Sequence, residues 1–164
     1  MTIVVTTTIL RSVPHDPRKT AVLSLANQVF ISLLKAADSL TQDVEGLLKE
    51  YGLTGTQYNV LRILRGAEPQ GLACREVGAR MISHDPDMTR LLDRMEKRGL
   101  ITRERGERDR RVVRARATRA GLALLKKLDD PVRLRHERQF RDVPAAQLKL
   151  LAQLLDQLAV RMTR

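Results

Sequence analysis

The chain has 164 residues, of which 43% are hydrophobic, with 30 basic against 19 acidic side chains and a single cysteine. That apolar share is ordinary for a globular protein and excludes disorder over most of the chain, while the net charge of +11 points to a polyanionic partner. One cysteine, Cys74, excludes an internal disulfide and a cysteine-rich metal site, and fits a reducing cytoplasm.

The N-terminal stretch MTIVVTTTIL lacks the positive region and cleavage motif of a secretory leader and is too short to span a bilayer. Residues 1–17 are expected to be a β-prone extension. With no transmembrane segment in view, a soluble cytoplasmic protein with no membrane partner is expected. Aromatics are only 2% (Phe30, Phe140, Tyr51, Tyr58), and the apolar residues are mostly Leu, Val, Ala and Ile, a composition that suits helices.

After Asp16-Pro17, apolar residues recur at Val22, Leu25, Val29, Leu33, Ala37, Leu40, Val44, Leu47 and Tyr51. Steps of three and four make one stripe on a long helix, which Gly52 should end. Thr54-Gly-Thr-Gln57 is a capping-box pattern opening a short helix that buries Val60, Leu61 and Leu64. Gly66 to Gly71 is a turn, and Leu72 to Met81 a second short helix anchored by Leu72, Val77 and Met81. In Ser83-His-Asp-Pro86-Asp, Asp85 suits an N-cap and Pro86 the first helical position. The helix so begun buries Met88, Leu91, Leu92 and Met95, and Gly99 ends it. Two short helices across a tight turn make a helix-turn-helix candidate.

The period then changes to two. Leu100–Arg105 and Val112–Ala117 read as strands joined by the loop Gly106–Arg111. In the second, Val113, Ala115 and Ala117 alternate with Arg114 and Arg116, giving one apolar and one cationic face. Thr118 caps a helix through Leu122, Leu125 and Leu128. Asp130-Pro131 marks either a new helix or a kinked continuation, and Asp142-Val-Pro144 a further start. The last helix carries Leu148, Leu151, Leu155, Leu158 and Met162, widened by Leu150 and Leu154. Its stripe and that of the first helix are too long and too apolar for a small lobe to cover, so each chain of a homodimer is expected to bury the other's.

Charge follows this division. Residues 1–55 balance five basic against five acidic side chains, residues 56–120 carry sixteen against nine, and residues 121–164 nine against five. The basic middle segment contains the stretch 103–116, RERGERDRRVVRAR, in which seven of fourteen residues are arginine. A helix-turn-helix followed by a basic hairpin is a winged helix. Its second helix presents side chains to base edges in the major groove, here Asp87, Thr89, Arg90 and Arg94. An arginine of the wing tip reaches the minor groove, and its neighbours meet phosphate, for which the planar guanidinium fork is well shaped. For Asp87 two readings stand: an acceptor for a cytosine amino group, or a first-turn acid favoured by the helix dipole.

The segments LTGTQYNVL (53–61), TRLLDRMEKRGLITR (89–103), DRR (109–111) and ATRAG (117–121) resemble, in order and spacing, the MarR family of bacterial transcription regulators. The resemblance extends over residues 20–162. It implies a six-helix winged-helix homodimer that binds inverted-repeat operators, usually represses, and in many members leaves DNA when a small, often phenolic, ligand binds. Asp109 and Arg111 match the family's acid-x-arginine wing motif, which implies that Arg111 enters the minor groove while Asp109 holds a neighbouring basic side chain. Thr89 and Arg90 match recognition-helix contacts. Asp87 departs from the family pattern, where a serine or threonine is usual. The family's sensing cysteine lies in the first helix, whereas Cys74 opens the third, so Cys74 is read as a small packed residue.

The expected fold is therefore mainly α with a small β-hairpin: a winged helix-turn-helix (53–121) with N- and C-terminal helices forming a dimerisation domain (18–52 and 122–164). The expected function is a dimeric, sequence-specific transcription regulator, a repressor of an inverted-repeat operator, located at the nucleoid. Its DNA-binding residues are Asp87, Thr89, Arg90, Arg94, Arg108, Asp109, Arg110 and Arg111, and its partners double-stranded DNA, a second copy and a small-molecule effector. An activator or a ligand-independent architectural protein is the alternative. No catalytic set or Gly-rich phosphate loop supports an enzyme. His15, His84 and His136 lie at no ligand spacing, so neither metal nor cofactor is expected. Scarce aromatics argue against an RNA-stacking platform. Effector-binding residues are not assignable from the sequence.

Overall fold

The computed structural model describes residues 17–82, 87–105 and 112–162, and side chains within 24–82, 87–105 and 112–160. The expected extension 1–16, the Asp85-Pro86 helix start, the loop 106–111 and the side chains of Val22 and Met162 lie outside them. The described residues form six helices and three strands: α1 (Pro17–Glu50), α2 (Gly55–Arg65), β1 (Leu72–Ala73), α3 (Cys74–Ala79), α4 (Met88–Lys97), β2 (Ile101–Arg105), β3 (Val113–Ala117), α5 (Arg119–Gln139) and α6 (Ala145–Met162). No helix among the described residues is long and apolar enough to cross a membrane. The chain divides into two units, Met1–Ser39 and Leu40–Arg164.

In the first unit, the described part of α1 leaves Leu25, Val29, Phe30, Ile31 and Leu34 exposed. In the second, α1 ends in a Schellman turn. Gly52 has φ 69°, its N–H donates to the Lys49 carbonyl at 2.9 Å, and the Leu53 N–H donates to the Leu48 carbonyl at 3.0 Å. The hydrophobic pair that accompanies this motif, Leu48 and Leu53, is buried. The expected capping box is present: Thr54 Oγ1 accepts from the Gln57 N–H at 3.3 Å, and Gln57 Oε1 accepts from the Thr54 N–H at 3.2 Å. Gln57 is a buried polar residue, and the same Oε1 also accepts from Arg98 Nη1 at 3.1 Å. One side chain thus secures both the start of α2 and the end of α4.

The core of the second unit gathers Val60, Leu61 and Leu64 of α2, Val77 of α3, Leu91, Leu92 and Met95 of α4, Ile101 and Ala115 of the sheet, and Leu125 and Leu128 of α5. Gly99 (φ 68°) ends α4 with a second Schellman turn, in which Leu100 N–H donates to the Met95 carbonyl at 3.0 Å. Thr118 joins the sheet to this turn: its Oγ1 donates to the Gly99 carbonyl at 2.6 Å and accepts from the Gly121 N–H at 3.1 Å. At Gly121 a Cβ would collide with the Leu100 carbonyl and come within 3.1 Å of Leu61 Cδ2. Only glycine lets the start of α5 lie this close.

Three expectations are corrected. The wing is a three-stranded antiparallel sheet in the order β1-β3-β2, with Leu72 opposite Ala115 and Arg103 opposite Ala115 on the other side. Leu72 and Ala73, expected as helix, are a strand because their N–H and C=O groups find a ladder on β3, and α3 begins only at Cys74. At Asp130-Pro131, of the two readings the structure has the continuation and not a new helix: α5 runs from Arg119 to Gln139 with Pro131 inside it. Proline removes one N–H from the ladder there, and the buried residues on either side, Leu128 and Val132, hold the helix in register. Val113, expected on the apolar face, is 36% exposed at the open end of β3.

The α1 and α5 segments of the second unit are pinned through Asp43. Its carboxylate receives Arg135 Nη1 at 2.6 Å and Gln139 Nε2 at 3.0 Å. The Arg135 hydrogen bond holds the Asp43 carboxyl below the usual carboxylate range. On α6, by contrast, Leu150, Leu151, Leu154, Leu155, Leu158 and Val160 are all exposed.

Candidate nucleic-acid interface

The second helix of the helix-turn-helix is α4. It starts two residues later than the Asp85-Pro86 signal implied, with Asp87 as its N-cap. Asp87 Oδ1 accepts from the Arg90 N–H at 3.3 Å, and Oδ2 pairs with Arg90 Nε at 3.3 Å. An acid at this position satisfies an orphan donor and meets the positive end of the helix dipole. The structure therefore places Asp87 at the cap rather than on the first turn's outer face. Leu91, Leu92 and Met95 are buried, and Thr89, Arg90 and Arg94 are exposed. Thr89, Arg90 and Arg94 are thus carried on one rigid, open side of a capped helix.

The arginines of the stretch 103–116 divide by their contacts. Arg105 and Arg116 are exposed. Arg114 reaches back across β1, donating to the Gly71 carbonyl at 3.0 Å and the Gln70 carbonyl at 3.3 Å. Arg103 turns towards α4: its backbone N–H donates to Glu96 Oε1 at 2.8 Å, Nε and Nη2 to Glu96 Oε2 at 3.0 and 2.7 Å, and Nη2 pairs with Asp93 Oδ1 at 2.5 Å. Arg108, Asp109, Arg110 and Arg111 lie outside the described residues.

The Arg103 network is a group that sequence reading missed. Strand parity was the available signal: Arg103 shares the side of Ile101, which is buried. A cation on an inward face needs an acid opposite it, and Asp93 and Glu96, one helical turn apart on α4, supply two.

Cys74 lies half-buried in a cleft of about 310 Å³, lined also by Met88, Thr89, Leu92, Arg103 and Val113. Burial pushes its thiol up from the ordinary value, more than the nearby Arg103 charge lowers it. A second cavity of about 300 Å³ has Leu40, Val44 and Leu48 along one wall and Tyr58, Arg62, Ile82 and His136 around it. The Arg62 guanidinium sits 5.8 Å from the Tyr58 ring centroid, and burial raises the Tyr58 phenol. Among the described residues, no cluster of His, Cys, Asp and Glu has metal-holding geometry.

A helix-turn-helix with a capped, cation-bearing second helix beside a basic wing defines a winged-helix DNA-binding protein. The sequence profile of the MarR family matches residues 53–113. The organic hydroperoxide resistance transcriptional regulator of Bacillus subtilis is 32% identical over 108 residues, which span 66% of this chain and 72% of that protein. The crystal structure of a MarR transcription factor from Planctomyces limnophilus superposes with a TM-score of 0.63 at 38% identity, covering 80% of this chain and 95% of that one. CouR from Rhodococcus jostii, solved with p-coumaroyl-CoA bound, gives a TM-score of 0.69 at 27% identity over 82% of this chain and 94% of that one. The chain belongs to the MarR family of transcription regulators and is a DNA-binding regulator, not an enzyme.

Proposed function

We propose that the chain represses transcription as a homodimer bound to an inverted-repeat operator, and that a small aromatic ligand releases it. The observation that carries this reading is α4 itself, with three hydrophobic residues buried and Thr89, Arg90 and Arg94 open on a capped helix. In this reading α4 enters the major groove, where Thr89, Arg90 and Arg94 meet base edges and flanking phosphate. Asp87 acts as cap and as partner to Arg90. Arg111 enters the minor groove, positioned through Asp109, and Arg108 and Arg110 meet phosphate. The functional division is a winged helix over 53–121 and a dimerisation region over 18–52 and 122–164, at work in the cytoplasm on the nucleoid.

The dimer is supported by the apolar faces that α6 and the start of α1 expose. Two-fold symmetry would set two copies of α4 about one helical turn apart on DNA, about 34–36 Å, which is why an inverted repeat is expected. The effector is supported by the 300 Å³ cavity, whose apolar wall and Arg62 suit an aromatic carboxylate or its thioester. CouR, at 27% identity, binds an aromatic acyl-CoA.

The test is binding to the duplex upstream of the protein's own gene, against scrambled duplex and RNA, over a range of salt. A specific repressor prefers the upstream duplex and shows a steep salt slope. Equal affinity for scrambled duplex would replace this reading by an architectural one, and raised transcription of the bound gene would make it an activator. Arg111→Ala is expected to lower operator affinity by about 1–3 kcal/mol with the dimer intact. Normal operator binding by that variant removes the wing-tip role. Phenolic carboxylates added to the complex should release DNA, and Arg62→Ala should blunt the release.

A further inference from the structure

We propose that Arg103 is a positioning residue for DNA recognition: with Asp93 and Glu96 it locks the wing to the recognition helix and so sets which operator sequence both can engage at once. The proposal rests on the reading that α4 and the wing contact adjacent grooves. It adds a residue that touches no DNA yet controls specificity.

Three observations carry it. First, the register puts Arg103 opposite Ala115 and Ile101 opposite Ala117, so Arg103 projects from the inner side of the wing and not from its outer, DNA-accessible side. Its side chain is accordingly only 21% exposed. Second, the guanidinium and backbone N–H of this one residue make three hydrogen bonds to Glu96 and an ion pair to Asp93, all between 2.5 and 3.0 Å. A planar fork held by two carboxylates fixes direction as well as distance, unlike a single exposed ion pair. Third, Thr89, Asp93 and Glu96 follow at steps of four and three, so they form one stripe along α4. That stripe begins at the groove-reading end of the helix and finishes at the wing.

A wing free to pivot against α4 would let each element find its groove separately and would tolerate varied spacing between their contacts. A clamped wing presents both contacts at one separation, and a duplex must match it or forgo one of them. The clamp also offsets one of the two negative charges that Asp93 and Glu96 place on a helix that approaches phosphate. These two consequences have opposite signs when the acid is removed, and that separates them.

Glu96→Gln keeps the side chain's shape and removes one negative charge. If charge were all that mattered, the variant would bind every duplex more tightly. If the clamp positions the wing, affinity for the selected operator falls about tenfold or more, equivalent to removing one base-edge interaction, while affinity for scrambled duplex stays level or rises. Arg103→Lys keeps the charge and loses the fork. It is expected to reduce operator affinity similarly, because a single ammonium does not span Glu96 and Asp93 as the planar fork does.

The measurement uses full-length protein, the inverted-repeat duplex that wild type selects from a randomised pool, and a scrambled duplex of the same composition, with thermal unfolding followed in parallel. A fall in the operator-to-scrambled affinity ratio in both variants, with minor-groove protection by the wing weakened on the operator, supports the clamp. Lowered melting temperature with an unchanged ratio overturns it in favour of a stabilising role alone. Tighter operator binding by Glu96→Gln overturns it as well. If wild type itself selects no sequence, the specific-regulator reading fails, and the clamp's role in specificity fails with it.

Discussion

Leu61 and Leu64 of α2 and Leu125 and Leu128 of α5, in the core lobe of the second unit, are fully buried, whereas Leu151, Leu154, Leu155 and Leu158 of α6 stay between 40% and 49% exposed. Both sets repeat at helical spacing, so periodicity alone does not distinguish them. The difference is in what converges on each. Stripes from α2, α4 and α5 and the inner face of the sheet meet around one centre, and each covers the others. The apolar stripe of α6 stays largely open to solvent. Covering the exposed half of a leucine is worth roughly 1 kcal/mol, so several kcal/mol of burial on this helix await a second surface. Exposed apolar area of that extent marks an interface rather than ordinary surface. The lobe is therefore what the chain can complete from its own residues, and α6 and the start of α1 are where a second copy is proposed to complete it.

The largest expected effect breaks this comparison on the α6 side. Leu151→Glu with Leu155→Glu introduces two charges into the proposed interface. The dimer should weaken by roughly 4 kcal/mol or more, about a thousandfold in its Kd, and cooperative operator binding should vanish with it. Sedimentation at micromolar protein reads the first and gel shift the second. A variant that sediments as a dimer and binds operator normally would show that α6 is not the seam. Next in size comes the lobe side. Leu125→Ala should reduce unfolding free energy by roughly 2–5 kcal/mol in a denaturant titration at fixed protomer concentration. The surviving folded protein should keep its stoichiometry and its operator sequence. A Leu125→Ala protein that instead dissociated would mean that lobe packing and association are one event.

Signals that depend on neighbours in sequence were legible, and those that depend on register were not. Gly52 and Gly99 as helix ends, the Thr54–Gln57 box and the Thr118 cap each need only a handful of consecutive residues, and the structure has all of them. So does α6, which begins after Asp142-Val-Pro144. β1 was missed because two residues carry no periodicity, and their partner Ala115 lies far along the chain. Alternation put Arg114 and Arg116 on one cationic strand face, but alternation does not record what each guanidinium meets. In the structure Arg103 is engaged by the carboxylates of α4 and Arg114, on the opposite face of the sheet, by the Gln70 and Gly71 carbonyls, while Arg105 and Arg116 are exposed. Of the two readings of Asp87, the structure has the acid at the positive end of the helix, as its N-cap, because the helix start moved by two positions, which lies within the usual uncertainty of a boundary.

The smallest expected effect tests how closed the lobe is at its edge. Cys74 sits where α3, α4 and the wing root meet, half-buried, and burial raises its thiol above the ordinary value despite Arg103 nearby. The sign follows from the reacting species. Only the thiolate is alkylated, and a raised pKa means a smaller thiolate fraction at neutral pH. Iodoacetamide should therefore label Cys74 more slowly than an unstructured thiol peptide at pH 7, and the rate should climb only as pH rises past the ordinary thiol value. Unfolding in urea should bring it to the peptide rate. Labelling at the peptide rate in the folded protein would mean that water reaches the cleft freely. The contrast between a lobe closed on itself and a helix awaiting its partner would then be one of degree. Glu96→Gln sharpens the same test: without Glu96 its negative charge no longer raises the thiol, so labelling should quicken slightly at neutral pH.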